Sequence, residues 1–358
     1  MNNVNNLHQK IELIRQTEGE GFAINESALV SELQSVSEDK SGLSIKILSI
    51  GGGFLATLSF IGFLLAAGLY DSKIGLIIFG VLFISGSIWI NWKSERQILD
   101  TSVISVYIIG FCLLAFGISH FKVDKNILPV LFVIISAASI IITQRYILSF
   151  ISVLIISGSI LSLMVINDAY NLIHLYNALI TLFFAYCILN EAKMISTGLR
   201  LSRLYNPLRT GLLFSLLFGL AFVGKRGMVK IDADFIWLSS VITIPAVIYL
   251  VFLVLKILGI NDRKRYLFIY MLSILLLIPT AFSPAISGSL LIILLCFFVN
   301  YKTGFVAGII AFIYFISQYY YDLNFSLLTK SILLFLTGVL FIIFFLFTYK
   351  KLTVNEKN

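Results

Sequence analysis

The sequence predicts an all-α fold: a polytopic integral membrane helix bundle of about twelve transmembrane helices with both termini in the cytoplasm. Of its 358 residues, 59% are hydrophobic and 12% are charged, whereas a soluble globular chain has roughly 25% charged residues. The apolar residues form runs of about 20, the length that crosses a bilayer as a helix. This composition excludes both a soluble enzyme and a disordered chain.

The candidate spans are twelve apolar runs bounded by charged or turn residues. Those of the first half cover 46–70, 74–92, 101–119, 127–143, 146–166 and 169–190. Those of the second half cover 210–224, 234–258, 266–282, 284–300, 303–321 and 330–349. Two places leave alternatives open. The seventh run has only about 15 residues, and the proline-bounded segment 279–284 fits either a hairpin between two spans or a re-entrant segment.

Lys and Arg residues set the predicted orientation. When they are counted in alternate loops, 19 of the 26 lie on the side that includes both termini. Because short cytoplasmic loops are enriched in Lys and Arg, that side is predicted to be the cytoplasm.

The chain is predicted to begin with a polar, helical cytoplasmic segment at 1–45. Its first 40 residues carry seven acidic and three basic side chains and no cleavable signal peptide. This segment is interpreted as two short surface helices or, alternatively, as a docking site for a cytoplasmic protein partner. The other predicted parts are a first six-helix membrane half at 46–190, a basic cytoplasmic loop at 191–209, a second six-helix half at 210–349 and a cytoplasmic tail at 350–358.

Motifs of the familiar enzyme classes are missing from the sequence. The cysteines form no CxxC and the histidines have no metal-ligand spacing: Cys112, Cys187, Cys296, His8, His120 and His174. No phosphate-binding glycine loop occurs. No catalytic residue, cofactor or metal is therefore predicted, and an enzyme is disfavoured. The basic charge follows the positive-inside rule and requires no nucleic-acid partner.

No Asp or Glu lies near the middle of any apolar run. Proton-coupled and sodium-coupled transporters typically hold a carboxylate inside the membrane, where it titrates or binds the cation. Transport coupled through such a carboxylate is therefore disfavoured.

The sixth run is the most polar and supplies the candidate pocket. Its polar residues recur at spacings of four, three, three and four, which predicts one side of a helix: Asn167, Asn171, His174, Asn177 and Thr181. Lipid cannot satisfy these groups, so they should face the bundle interior or a wet cavity. The favoured interpretation is hydrogen bonding between helices, worth about 0.6 kcal/mol per contact. The alternative is a pocket in which His174 binds or protonates a ligand.

A Ser-Gly-Ser tripeptide occurs three times inside the apolar runs, at 85–87, 157–159 and 287–289. Small residues let helix backbones approach closely, so these tripeptides predict helix contacts and no particular function.

The C-terminal part carries a family resemblance. Its pattern consists of Tyr320, Tyr321, Leu323, Ser326, Lys330 and Ser331. This pattern resembles the C-terminal signature of a bacterial membrane family, domain of unknown function 4401, which is related to domain of unknown function 2157. The polar start followed by a Gly-, Ala- and Phe-rich first run is similar as well. The resemblance implies a multi-pass protein of the bacterial inner membrane and implies no activity.

These observations favour a transporter-like or flippase-like permease for a small or lipid-linked substrate, with its cavity lined by the sixth run. The alternative is a non-transporting scaffold or sensor whose N-terminal helices recruit a cytoplasmic partner. An intramembrane transferase with His174 as the base is disfavoured, because no partner motif accompanies the histidine.

Overall fold

The computed structural model describes residues 72–93, 97–121, 123–224, 237–257 and 263–322, with scattered positions within 52–68 and 328–342. The N-terminal segment 1–45 and the tail 350–358 lie outside the described residues. All regular secondary structure in the described part is helical, with no strand, which confirms the all-α class.

The first compact unit contains a pair of helices, α1 (Lys73–Lys93) and α2 (Gln97–Ser119). Glycines let their backbones meet. A Cβ added to Gly80 would lie 3.0 Å from the carbonyl oxygen of Gly110, and one added to Gly117 would lie 3.0 Å from the backbone nitrogen of Ile77. Since later positions of α2 meet earlier positions of α1, the two helices run antiparallel.

The second compact unit, from residue 124 onward, contains the remaining described helices. They are α3 (Ile127–Ile142), α4 (Tyr146–Ile166), α5 (Leu172–Leu189), α6 (Glu191–Ser196), α7 (Leu199–Gly224), α8 (Ser240–Ile257), α9 (Arg263–Leu277), α10 (Pro284–Phe298) and α11 (Lys302–Asp322). A short 3₁₀ turn, Ile278–Phe282, joins α9 to α10.

Helix α7 lies at the centre of this unit. It packs against α4, α5, α6, α10 and α11. Its residues Leu213, Leu216 and Leu220 are fully buried and form the hydrophobic core with side chains of α5, α8 and α10. Side chains of α7 can therefore meet side chains from five other helices.

Two tight turns in this unit use residues that tolerate a left-handed backbone. Asp168, between α4 and α5, has φ of 52°, and Asn300, between α10 and α11, has φ of 57°. Asp and Asn adopt this conformation more readily than other non-glycine residues. These turns end α4 and α10 sharply.

Six of the helical segments are long and apolar enough to cross a membrane: Lys73–Lys93, Tyr146–Ile166, Leu172–Leu189, Leu199–Gly224, Trp237–Ile257 and Lys302–Asp322. Four shorter apolar helices, Val103–Ser119, Ile127–Ile142, Tyr266–Leu275 and Pro284–Phe298, also coincide with predicted runs. These segments indicate a membrane protein.

The segment 191–209, predicted as a basic cytoplasmic loop between the two halves, is largely helical. It forms α6 and the first part of α7, which continues through Pro207. Proline removes one backbone hydrogen bond within a helix, but Tyr205 and Pro207 are both buried, and this packing offsets the loss. The seventh run, only about 15 residues long in the sequence, therefore belongs to a helix of 26 residues.

Candidate functional site

The five predicted pocket residues do not share one helix. His174, Asn177 and Thr181 lie on α5 and are buried. Asn171 immediately precedes α5 and is exposed, and Asn167 follows the last residue of α4. The prediction of one continuous face is wrong at Asn167, because the left-handed residue Asp168 separates the two helices.

Asn167 instead forms an amide pair at the surface. Its Nδ2 donates to Oδ1 of Asn126 at 2.7 Å, and Nδ2 of Asn126 donates back at 3.2 Å. This pair joins the start of α3 to the end of α4, so it fastens two helix ends away from the buried residues of α5.

His174 is held by one of its two ring nitrogens. Its Nδ1 lies 2.6 Å from the hydroxyl oxygen of Ser239, in the turn before α8. Its Nε2 is buried and has no hydrogen-bond partner among the described residues. A neutral imidazole has one donor nitrogen and one acceptor nitrogen, so the ring presents one unused polar atom inside the unit.

Asn177 connects α5 to α7. Its Nδ2 donates to the carbonyl oxygen of Gly219 at 3.2 Å, while its buried Oδ1 has no partner in the described part of the chain. The neighbouring Tyr176 hydroxyl donates to the carbonyl oxygen of Ser215 at 3.1 Å and hydrogen-bonds to the hydroxyl of Ser157 on α4. Helices α4, α5 and α7 are thereby joined at the same level.

Two further hydroxyls at this interface are buried without a partner among the described residues: Thr181 Oγ1 on α5 and Ser215 Oγ on α7. Ser and Thr in helices often donate to the carbonyl one turn earlier, and these two do not. We call His174, Asn177, Thr181 and Ser215 the polar core. Each member keeps one buried polar atom unused.

The polar groups between α8 and α10 are satisfied by contrast. The hydroxyls of Thr243 and Ser287 lie 2.9 Å apart, and Ser240 donates to the carbonyl oxygen of Ala281 at 2.8 Å. Ser287 belongs to the third Ser-Gly-Ser tripeptide, and a Cβ on its Gly288 would lie 2.5 Å from Leu220. Close helix contact, as predicted from the tripeptides, therefore occurs here, whereas Gly86 and Gly158 have open space around them.

A second group of polar residues surrounds Arg209 on α7. The centre of its guanidinium lies 3.9 Å from the ring centroid of Tyr301 and 4.9 Å from that of Tyr205. Nη1 lies 3.4 Å from Oε1 of Glu191, and Nη2 donates to Oδ1 of Asn206 at 2.9 Å. Nε is buried and has no partner in the described residues.

Thr210 extends this group through its hydroxyl. It donates to the carbonyl oxygen of Asn206 at 2.9 Å, accepts from the hydroxyl of Tyr146 at 3.2 Å and lies 3.0 Å from that of Tyr301. Because the single hydroxyl proton of Thr210 goes to Asn206, the Tyr301 hydroxyl is the donor in its contact with Thr210. We call Glu191, Tyr205, Arg209, Thr210 and Tyr301 the arginine site.

The arginine site is absent from the sequence-based predictions. There, 191–209 is only a basic cytoplasmic loop, whereas the largely buried side chain of Arg209 lies against the ring of Tyr301, a residue 92 positions away. One feature of the sequence could have indicated this ion pair. Arg209 directly precedes one apolar run, and Glu191 directly follows the run before it.

The sequence profile of the family described as domain of unknown function 4401 matches residues 42–351. The chain belongs to this family. A search of curated proteins and a search of solved structures each find no match. Membership in the domain of unknown function 4401 family confirms the predicted resemblance and assigns no activity, so the function has to be argued from the polar groups themselves.

The residues of the predicted family pattern lie partly within the structure of this domain of unknown function 4401 protein. Tyr320 and Tyr321 occupy the last turn of α11, where Gln318 donates to Asp322 at 3.0 Å. Ser331 is exposed. Leu323, Ser326 and Lys330 lie outside the described residues. Within the described part, no group of three or more His, Cys, Asp or Glu side chains could hold a metal ion.

Proposed function

We propose that this member of the domain of unknown function 4401 family is a permease of the bacterial inner membrane that moves a polar small molecule or a polar lipid-linked group. The observation that carries the proposal is the polar core. His174, Asn177, Thr181 and Ser215 each bury a polar atom that has no partner among the described residues.

The free energy of burial supports a ligand or water at the polar core. Leaving a buried donor or acceptor unsatisfied costs about 1–3 kcal/mol, and lipid supplies no partner within the membrane. Thr243 and Ser287 show that this chain can pair buried hydroxyls between helices. A polar substrate or water that occupies the α5–α7 interface would satisfy the atoms that the protein leaves unused.

The geometry of α5 and α7 favours one continuous track between them. The two helices are antiparallel, because Asn177 meets Gly219 and Glu191, just beyond α5, meets Arg209. At 1.5 Å per residue, Arg209 and Gly219 lie about 15 Å apart along α7. The arginine site and the polar core would then mark two levels of the same track across the membrane.

The proposed topology has twelve spans with both termini in the cytoplasm. In it, segment 1–45 and the tail 350–358 are cytoplasmic, and the six-helix halves 46–190 and 210–349 flank the basic connection at 191–209. The excess of Lys and Arg on one side supports this orientation. Alkaline phosphatase and green fluorescent protein fused after residues 123, 168, 262 and 358 test it. Phosphatase activity is expected only after 123 and 168, and any other pattern contradicts the topology.

Cysteine labelling tests whether water reaches the polar core. In a background with Cys112, Cys187 and Cys296 replaced by Ala, Thr181→Cys should react in membranes with a charged, membrane-impermeant methanethiosulfonate reagent. The control is Leu213→Cys, because Leu213 is equally buried on α7 but lies in the apolar core. Equal reactivity of the two positions, or no reaction at 181, would contradict a wet track.

A deletion strain distinguishes a permease from the alternative, a scaffold or sensor that acts through 1–45. Metabolite and lipid profiles would be compared after complementation with the native chain, with His174→Ala plus Asn177→Ala, and with the chain lacking residues 1–45. If the protein is a permease, the polar-core variant should be present in the membrane but should not restore the native metabolite and lipid profiles. Failure of the truncated chain alone would favour the scaffold.

A further inference from the structure

We propose that the arginine site binds an oxyanion, a carboxylate or phosphate group, and that Glu191 occupies the place of this anion when the site is empty of ligand. The inference deepens the proposed function, because it names the charge of the group that the permease would accept. Its role in transport rests on that function, whereas anion binding itself is measured independently of transport.

The guanidinium of Arg209 has unused hydrogen-bonding capacity. It carries five N–H donors, of which only the one to Asn206, at 2.9 Å, is short. The contacts of Nη1 with Glu191 and with the Tyr205 hydroxyl are both 3.4 Å, longer than the roughly 2.7–2.9 Å of a good charge-assisted bond. Nε has no partner among the described residues. A fork with an unused Nε matches the bidentate geometry of carboxylate and phosphate oxygens.

The surroundings hold the guanidinium in place for such a ligand. Tyr301 and Tyr205 contact the guanidinium with their rings, at 3.9 and 4.9 Å. Tyr301 is itself fastened to Thr210 through its hydroxyl. The Tyr205 hydroxyl accepts from Nη1 and has its own proton to donate to an incoming oxygen. A side chain fixed in this way loses little conformational entropy when an anion binds.

Glu191 is suited to exchange with an incoming anion. The side chain of Arg209 is 16% exposed and that of Glu191 is 34% exposed. A partly exposed carboxylate in a long, single contact loses little free energy when it turns into water. The nearby side chains of Lys193, Arg200 and Arg203 are exposed and raise the local concentration of anions.

Thermal unfolding of the purified full chain in detergent tests anion binding, with inorganic phosphate as the probe and sodium chloride at matched ionic strength as the reference. Phosphate should raise the unfolding midpoint of the native chain in a dose-dependent way, and equally that of the control Lys125→Gln, which removes an exposed base before α3. Arg209→Lys keeps the charge but loses the fork, and should weaken the apparent affinity by about tenfold. Glu191→Gln removes the competing carboxylate and should tighten binding about threefold.

Three results would overturn the proposal. They are no phosphate effect in the native chain, an equal effect in the native chain and Arg209→Lys, or weaker binding in Glu191→Gln. If Arg209→Lys does not fold, the Glu191→Gln variant alone decides, since its expected change is a gain.

A second experiment, in lipid bilayers, decides whether the anion is a lipid head group or a soluble molecule. The native chain and Arg209→Lys would be placed in nanodiscs of phosphatidylglycerol or of phosphatidylcholine. Greater stabilisation of the native chain by phosphatidylglycerol assigns the site to an acidic lipid head group, and a phosphate effect alone assigns it to a soluble oxyanion. Labelling of Thr181→Cys is independent of both experiments. Failure of the anion site and failure of the permease proposal are therefore distinguished.

Discussion

The side-chain amide of Asn177 lies directly against the backbone of Gly219. Its Nδ2 donates to the glycine carbonyl at 3.2 Å, and a Cβ at position 219 would overlap Oδ1 of the amide. The polar core therefore depends on Gly219 of the facing helix, because any larger residue there would displace the side chain of Asn177.

We expect Gly219→Ala to destabilise the protein by about 1–3 kcal/mol, the usual cost of overpacking. The new methyl group would meet the Asn177 amide and also the Tyr176 ring, 2.7 Å away. That ring cannot move easily, because its hydroxyl is hydrogen-bonded to α4 and to α7. The measurement is unfolding in detergent micelles. The control is Gly158→Ala, where nothing lies within 4 Å of the added carbon and helix propensity favours Ala by up to about 1 kcal/mol. Similar changes in the two variants would contradict this packing.

Thr181→Val should leave stability unchanged or raise it by about 1 kcal/mol, because it removes a buried hydroxyl that has no partner among the described residues. The matched change Thr243→Val should lower stability by about 0.6 kcal/mol, since that hydroxyl pairs with Ser287. Under the proposed function, Thr181→Val also fails to restore the deletion profile. A stable Thr181→Val with full complementation would exclude a functional role for this hydroxyl.

Substitutions at Tyr301 should separate its two contacts. Tyr301→Phe loses the hydroxyl contact with Thr210 but keeps the ring over Arg209, so a loss of about 1 kcal/mol is expected. Tyr301→Leu also loses the cation–π contact and should cost about 1 kcal/mol more. Unfolding in micelles measures both, with the exposed Tyr186→Leu on α5 as the control. Equal losses for Phe and Leu would show that the ring contributes nothing.

In the first unit, Gly80→Ala should loosen the contact between α1 and α2. The added carbon would lie 2.9 Å from the backbone nitrogen of Leu114, and a backbone atom cannot rotate away as a side chain can. Hydrogen exchange of α1 and α2 should therefore become faster, by a factor corresponding to about 1–3 kcal/mol. Gly86→Ala on the same helix, with open space around it, should leave exchange unchanged. Unchanged protection in Gly80→Ala would refute the close approach.

Much of the helical structure could be predicted from the hydropathy pattern. The predicted run at 146–166 coincides with α4, and that at 127–143 differs from α3 by one residue. The bounds of such segments can be predicted because, within lipid, an apolar run bounded by turns can satisfy its backbone hydrogen bonds only as a helix. The hydropathy pattern does not reveal that the basic segment 191–209 is largely helical, with the backbone helical through Pro207.

The candidate site could be predicted only in part. The spacing of His174, Asn177 and Thr181 predicts a shared face of one helix, and all three are buried on α5. Ser239, which contacts His174, and Gly219, which contacts Asn177, carry no signal of their own, because serine and glycine are common in membrane helices for packing reasons alone.

The sequence by itself determined the class of this protein, its family and most of its helices, because hydropathy and local motifs depend on residues close together in the chain. Only the tertiary structure decided which polar groups are paired and which are left over. Thr243 has a partner on another helix, whereas Thr181 has none in the described part of the chain, although the two residues look alike in the sequence. Likewise, Arg209 meets Tyr301, between α10 and α11, because α7 packs against both of these helices. Such differences depend on contacts between distant segments, which set the free energy of each buried polar atom.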